Sequence, residues 1–147
     1  MKQYWIVILG VILSVFASCS KDDEELSKVP SLTFVSVSPT TAVQYADSVT
    51  IVLAYEDGDG DLGSNDPDIK NLYLTDSRNG VVYEFRVKQL APTNSTIAIK
   101  GTLSVVLDRV GLIGSGAAET TTYSIYMTDR AGNQSNAVTS SAVTIQP

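Results

Sequence analysis

Ser48-Val49-Thr50-Ile51-Val52-Leu53-Ala54-Tyr55 is the stretch that settles the fold class. Successive side chains of a strand point to opposite sides, so Val49, Ile51, Leu53 and Tyr55 share one face and Thr50, Val52 and Ala54 the other. A strand with one apolar face must bury it against a second layer. The same alternation recurs on either side. Upstream, Leu32 to Pro39 reads as a first strand, ended by the proline. Downstream, Ile69 to Asp76 places Leu72 and Leu74 inward, and Val81 to Val87 returns. Ile97 to Leu107 carries Ile97, Ile99, Leu103, Val105 and Leu107 on one face, with Gly101 marking a bulge or a switch between sheets. Thr120 to Asp129 aligns Tyr123, Ile125 and Met127. Ser135 to Ile145 closes with Val138, Val143 and Ile145. Asn79-Gly80 between two alternating runs predicts a type I′ hairpin. Pro92-Thr93-Asn94 and the Gly- and Ala-rich Gly111 to Glu119 are loops. Outside an N-terminal apolar run no segment holds a helical period. About seven short strands with turn signals between them predict an all-β, antiparallel β-sandwich.

The first strong strand runs directly into Glu56-Asp57-Gly58-Asp59-Gly60-Asp61-Leu62-Gly63-Ser64-Asn65-Asp66-Pro67-Asp68. Six of the sixteen acidic residues of the chain lie here and none of the ten basic ones. Like charges so close repel unless a cation sits among them. Asp57, Asp59 and Asp61 alternate with glycines that let the backbone curl and aim several carboxylates at one point. Calcium, which takes six to eight oxygens in flexible geometry, fits such a loop better than magnesium. The other reading is a solvated acidic turn whose glycines only reverse the chain. Glu56 is expected to face water.

Tyr123-Ser124-Ile125-Tyr126-Met127-Thr128-Asp129-Arg130-Ala131-Gly132-Asn133-Gln134-Ser135-Asn136 resembles the last hairpin of immunoglobulin-like and fibronectin type III-like domains. The resemblance covers about 115 residues as a pattern. It gives Tyr123 two readings, a tyrosine-corner residue or a plain inward aromatic. No Cys–Trp–Cys framework exists, so the chain does not resemble an antibody-type domain. With Ser48–Tyr55 and Ile69–Asp76 in the places of strands B and C, the acidic loop and the Asp129–Asn133 turn fall at the same end. Asp129 and Asn133 are then expected to complete a cation site begun by Asp57, Asp59 and Asp61. Otherwise Asp129 caps its own turn.

The acidic loop also resembles the calcium loop of EF-hands and dockerins. With Asp57 at position 1, Asp59 and Asp61 fall at 3 and 5, Gly63 at 7 and Asp68 at 12. Leu62 stands where that loop has glycine, Asp68 replaces the bidentate glutamate, and the flanks are strands. The resemblance implies the ligand logic and not the fold, with affinity in the weak extracellular class, on the order of 10⁻⁴–10⁻³ M.

The N-terminus carries an address. Lys2 precedes the apolar run Trp5 to Phe16, the length of a signal-peptide core and short for a membrane span. Phe16-Ala17-Ser18-Cys19 resembles a bacterial lipobox, with Phe16 in place of the usual leucine; the alternative is ordinary cleavage near Ala17. The resemblance implies lipidation of Cys19, the only cysteine in the chain, and anchoring by acyl chains. The acidic cluster Asp22 to Glu25 resembles the surface-export signal of Bacteroidetes-type lipoproteins, or serves as a solvated spacer. The resulting division is residues 1–18 as lipoprotein signal peptide, 19–30 as lipidated cysteine and acidic tether, and 31–147 as the immunoglobulin-like domain. The whole resembles Bacteroidetes-type surface lipoproteins with one such domain and a DGDGDLG loop. The implied location is the outer membrane facing the exterior, with a periplasm-facing anchor as the alternative.

A net charge of −6 argues against nucleic acid as a partner, and the absence of histidine removes imidazole acid–base work and most zinc sites. Acids separated only by glycines suit a cation better than a glycosidase pair framing a cleft. The function expected is therefore non-catalytic: a lipid-anchored binding or spacer module with a calcium-stabilised loop end. The alternative is a glycan-binding accessory lipoprotein of a polysaccharide-uptake system, with Tyr73 and Tyr126 as a stacking platform. Asn94-Ser95-Thr96 and Asn133-Gln134-Ser135 match the N-glycosylation sequon but read as loops. Asp47-Ser48-Val49 resembles the short O-glycosylation motif of Bacteroidetes exported proteins.

Overall fold

The computed structural model describes residues 26–147. The signal segment, Cys19 and the acidic cluster Asp22 to Glu25 lie outside the described residues. β3 (Val49–Asp57) realises the alternation, with Val49, Ile51 and Leu53 fully buried. It is the centre of a three-stranded sheet, flanked antiparallel by β1 (Ser31–Ser38) and β6 (Ile99–Leu107). The facing layer holds β4 (Leu72–Asp76) between β5 (Val82–Phe85) and β8 (Tyr123–Met127), with β9 (Val138–Thr139) outside β8. Its lower part is β2 (Thr41–Val43), β10 (Val143–Gln146) and β7 (Glu119–Thr121), in the order β2-β10-β7. β7 and β8 are one run interrupted at Thr122, and β9 and β10 are another. Every pairing is antiparallel except β2 with β10. The chain is thus an all-β sandwich with the strand order of immunoglobulin-type folds. Its core is Ile51, Leu53, Leu72, Leu74, Ile125, Met127, Val143 and Ile145, contributed by both layers.

Several local expectations change. Ile97 lies before β6 and is 54% exposed. Gly101 marks no bulge: β3 and β6 pair without a register shift. It is glycine because the Tyr55 ring lies across it, and a Cβ there would sit 2.8 Å from the Tyr55 hydroxyl. The bulge falls in β1, between Phe34 and Ser36. Asn79-Gly80 is not a two-residue type I′ turn. Thr75 pairs with Val82, Gly80 N–H donates to the Asp76 carbonyl (2.8 Å), and Gly80 alone of the pair has positive φ. The turn is wider because Asp76 holds Arg78 within it. Tyr123 is an inward aromatic. Its side chain is buried, and its hydroxyl makes no hydrogen bond among the described residues. Burial, then the neighbouring Asp76 charge, pushes its phenol up to about 12.

The breaks in the β8–β9 ladder come from two serines. Ser135 and Ser140 each give a backbone N–H to a β8 carbonyl (Met127 and Tyr123, both 2.9 Å). Their hydroxyls accept from the N–H of the same residues, at 3.0 and 2.9 Å. Both serines are buried, so the hydroxyl stands in for the strand carbonyl that the bend removes.

Candidate metal centre

β3 delivers the first carboxylate. The parity that buries Val49, Ile51 and Leu53 also turns Asp57 inward, where it is 0% exposed. Beyond it the loop folds back on Asp57, whose Oδ2 accepts the Asp61 N–H at 2.9 Å. Two glycines make this possible. Gly60 has φ +74°, and at Gly58 a Cβ would lie 2.0 Å from the Leu26 carbonyl oxygen. The Gly58 N–H donates to the Ser27 carbonyl at 2.8 Å, so the chain entering the domain packs against this loop. Leu62 is fully buried in the core cluster and plugs the loop into the sandwich. That is why a leucine stands where an EF-hand-like loop would have glycine.

The β8–β9 turn closes over the loop, as the strand order predicted. Arg130 N–H donates to the Asp61 carbonyl (3.3 Å), and Ala131 N–H to Asp61 Oδ2 (3.0 Å). Arg130 Nη1 donates to the carbonyls of Leu62 (3.3 Å) and Gly63 (3.0 Å). Its guanidinium is spent on backbone and makes no ion pair with the acids.

One carboxylate oxygen from each of Asp57, Asp59 and Asp61 lies within 4.8 Å of the others. Oδ1 of all three residues is buried and accepts no hydrogen bond among the described residues. No described Lys or Arg forms a salt bridge with these acids. Burial pushes the Asp57 carboxyl up, the Asp59 charge adds to it, and the amides of Asp61 and Gly60 oppose it. Burial likewise pushes Asp61 up, reinforced by the charges of Asp129, Asp59 and Asp57.

The other expected ligands fall into two groups. Asp129 is buried close enough for its charge to act on Asp57 and Asp61. Both its oxygens are engaged by Asn133, through the backbone N–H (2.7 Å) and side-chain Nδ2 (2.8 Å). Asp129 therefore caps its turn and adds negative potential, while Asn133 fixes Asp129. Asp68 lies outside the group of converging carboxylates. The Gly63 carbonyl takes Arg130, and Asp68 is exposed in its own turn, donating its N–H to Asp66 Oδ1 at 2.9 Å. Ser64 N–H bonds to the Val87 carbonyl (2.9 Å) and Leu90 N–H to the Leu62 carbonyl (3.1 Å). These bonds draw the chain away after Asp61, so of the carboxylates in the EF-hand-like spacing only the first three converge.

A second acidic group, at the opposite end, shows what satisfied burial looks like. Asp76 is 0% exposed, and its Oδ1 accepts from Arg78 N–H (2.9 Å), Arg78 Nε (3.1 Å) and Thr121 Oγ1 (2.6 Å). Oδ2 accepts from Arg78 Nη2 at 2.7 Å. Arg78 Nη1 reaches Glu119 Oε2 at 2.7 Å. Burial alone would raise the Asp76 carboxyl, but the bonds from Arg78 and Thr121 outweigh it and hold it below the usual range.

Tyr73 and Tyr126 stack on each other across β4 and β8, centroids 4.9 Å apart, and the Tyr73 hydroxyl donates to the Lys70 carbonyl. Two residues outside the sequence reading matter at the loop end. The Asn136 side chain bonds both backbone groups of Leu32, and that of Asn71 bonds both of Val87. Each acts as one more rung between strands, which a polar residue near a turn does not advertise. No protein-family model, curated protein or solved structure matches the chain.

Proposed function

We propose that this protein is a lipid-anchored, non-catalytic binding or spacer module of the outer-membrane surface, with one end stiffened by a bound calcium ion. The observation that carries the ion is that one carboxylate oxygen from each of Asp57, Asp59 and Asp61 lies within 4.8 Å of the others, that Oδ1 of each is buried and unpartnered, and that no described Lys or Arg forms a salt bridge with them. A buried carboxylate oxygen without a partner is costly. All-oxygen donors on a flexible loop suit a hard cation larger than magnesium, and Asp57, Asp59 and Asp61 would hold it. Asp129 supports them through its charge, and solvent oxygens complete the shell. The ion would fix the β3–β4 loop against the β8–β9 turn and so present a rigid end. The location rests on the lipobox-like Phe16-Ala17-Ser18-Cys19 and the acidic tether.

Titration calorimetry of residues 20–147 tests the ion. One calcium per chain is expected, displaced by chelator and weakly matched by magnesium; heat equal to the buffer blank removes the proposal. Alkyne-palmitate labelling in the native host tests the anchor. Label incorporation lost in Cys19→Ser is expected, and label unchanged by that substitution rejects the anchor.

A further inference from the structure

The chain reaches the sandwich by way of the acidic loop. β1 begins at Ser31, and Pro30 before it is buried. The residues ahead of Pro30, Leu26 to Val29, belong to no strand, and Ser27, Lys28 and Val29 are exposed. Val29 N–H turns back to Ser27 Oγ at 3.1 Å, within the segment itself. Among the described residues a single hydrogen bond joins Leu26–Val29 to the rest of the domain. It runs from the Gly58 N–H to the Ser27 carbonyl, at 2.8 Å.

Gly58 stands between Asp57 and Asp59, two of the three converging carboxylates. It is glycine for a different reason from its neighbours. Gly60 and Gly63 hold positive φ, and Gly58 does not. Its backbone would suit an alanine, but the added Cβ would overlap the Leu26 carbonyl and come within 2.8 Å of the Ser27 carbonyl carbon. The position is small to admit the entering chain, and not to make the turn. The loop that gathers the acids is therefore also the seat of the segment that leads in from the N-terminus.

We propose, on the calcium reading above, that the ion at Asp57, Asp59 and Asp61 works as a clamp on this segment. With the ion bound, Leu26–Val29 lies on Gly58; without it, the segment lifts away as far as Pro30. Unscreened carboxylates at this spacing push one another apart. Gly58, flanked by two of them, then loses the fixed direction of its N–H, and with it the one bond that holds the segment. The cation draws the acids together and sets Gly58 between them. Charge in the sequence acts the same way. Leu26 follows directly on Asp22-Asp23-Glu24-Glu25, so seating it brings negative charge toward an acidic loop, and a cation offsets that cost. Release of the four residues adds up to about 14 Å of reach between Pro30 and whatever anchors the N-terminus. Calcium would thus set how far the domain stands from its anchor and how freely it turns there.

The test is ¹⁵N relaxation of the full chain in mild detergent, with titration calorimetry on the same sample. In calcium the Ser27 and Lys28 amides are expected at an order parameter of about 0.8, and in chelator below about 0.6, with Leu53 unchanged. Gly58→Ala should still bind one calcium yet leave Ser27 and Lys28 below about 0.6 in both conditions. Asp59→Asn should leave them below about 0.6 in calcium because the ion is lost. A cooperative thermal transition verifies that each variant folds. One calcium in the calorimeter, with Ser27 and Lys28 equally ordered or equally mobile in calcium and chelator, overturns the clamp and leaves the ion standing. Ordered Ser27 and Lys28 in Gly58→Ala overturn it too. Heat equal to the buffer blank removes the ion and the clamp together.

Discussion

Asp59→Asn is the substitution that most sharply separates a metal centre from a solvated acidic turn, because the two predict opposite responses. The converging oxygens of Asp57, Asp59 and Asp61 lie within 4.8 Å of one another. Like charges at that spacing repel by roughly 0.9 kcal/mol in a water-like dielectric and roughly 3.5 near a protein surface. Removing the middle charge without changing shape relieves two such pairs, less the cost of the amide's own unmet bonds. In chelator the variant is therefore expected to be more stable than the parent, by on the order of 1 kcal/mol. Calcium acts the other way. With affinity on the order of 10⁻⁴–10⁻³ M, about 10 mM calcium stabilises the parent by roughly 1.4 to 2.7 kcal/mol. For a domain of this size that is a rise of about 4 to 15 °C in Tm. The variant should lose most of it. The assay is thermal unfolding of residues 20–147, parent and variant, in chelator, calcium and magnesium. A variant that matches the parent in chelator, together with a parent indifferent to calcium, would refute the reasoning. So would a calcium shift that survives the substitution.

Acid should first help and then harm the metal-free protein. Asp57 and Asp61 have folded pKa values raised above the reference 3.8, so their contribution is fully present below that value and is lost as pH rises through the folded values. Asp76 is shifted down, so its contribution is present above 3.8 and is lost as pH falls through its folded value. Urea midpoints in chelator should rise from neutral pH toward about 4 and fall below it, and a midpoint that falls throughout would contradict this. Arg78→Ala leaves a fully buried carboxylate without its cation and should cost about 3–5 kcal/mol; a loss under about 1 kcal/mol in urea would show that Asp76 is not dependent on it. Gly63→Ala forces a Cβ to 2.1 Å from the Lys88 carbonyl oxygen at φ +80°. It should cost at least about 1–3 kcal/mol by the same assay, and a neutral result would place the loop differently.

What was legible in the sequence follows from how far each rule reaches. The parity of Val49, Ile51 and Leu53 fixed the buried face of β3; that β3 continues to Asp57 and buries it by the same parity is seen only in the structure. Strand order then brought the Asp129–Asn133 turn to the acidic loop. Both inferences need only backbone geometry. The failures lie where a side chain overrides the backbone pattern. Asn79-Gly80 signals a tight hairpin, but Asp76 and Arg78 bond within the turn and widen it. Gly101 looks like a bulge, and its cause is a Tyr55 ring supplied by another strand. Asp68 keeps the spacing of a calcium loop, yet its turn with Asp66 and the Leu62–Leu90 bond carry it elsewhere. β2, three residues long, carries too little pattern to be read in advance. The serines at 135 and 140 replace strand carbonyls with hydroxyls, which no alternation rule encodes.

The parallel pairing of β2 with β10 has a mechanical consequence. The chain enters beside Gly58, at the acidic-loop end, while β10 runs toward the other end, where Gln44 N–H donates to the Gln146 carbonyl. A load drawn between the two ends therefore slides β2 and β10 past each other along their length. The rungs Thr144–Thr41, Ile145–Ala42 and Gln146–Val43 then bear it together instead of opening one after another. The antiparallel β1–β3 pair is loaded the same way, since Ser31 lies beside Glu56 and Ser38 beside Thr50. The domain is thus arranged to resist traction along its long axis, and it would yield far more readily to a pull that peels β10 sideways from its neighbours.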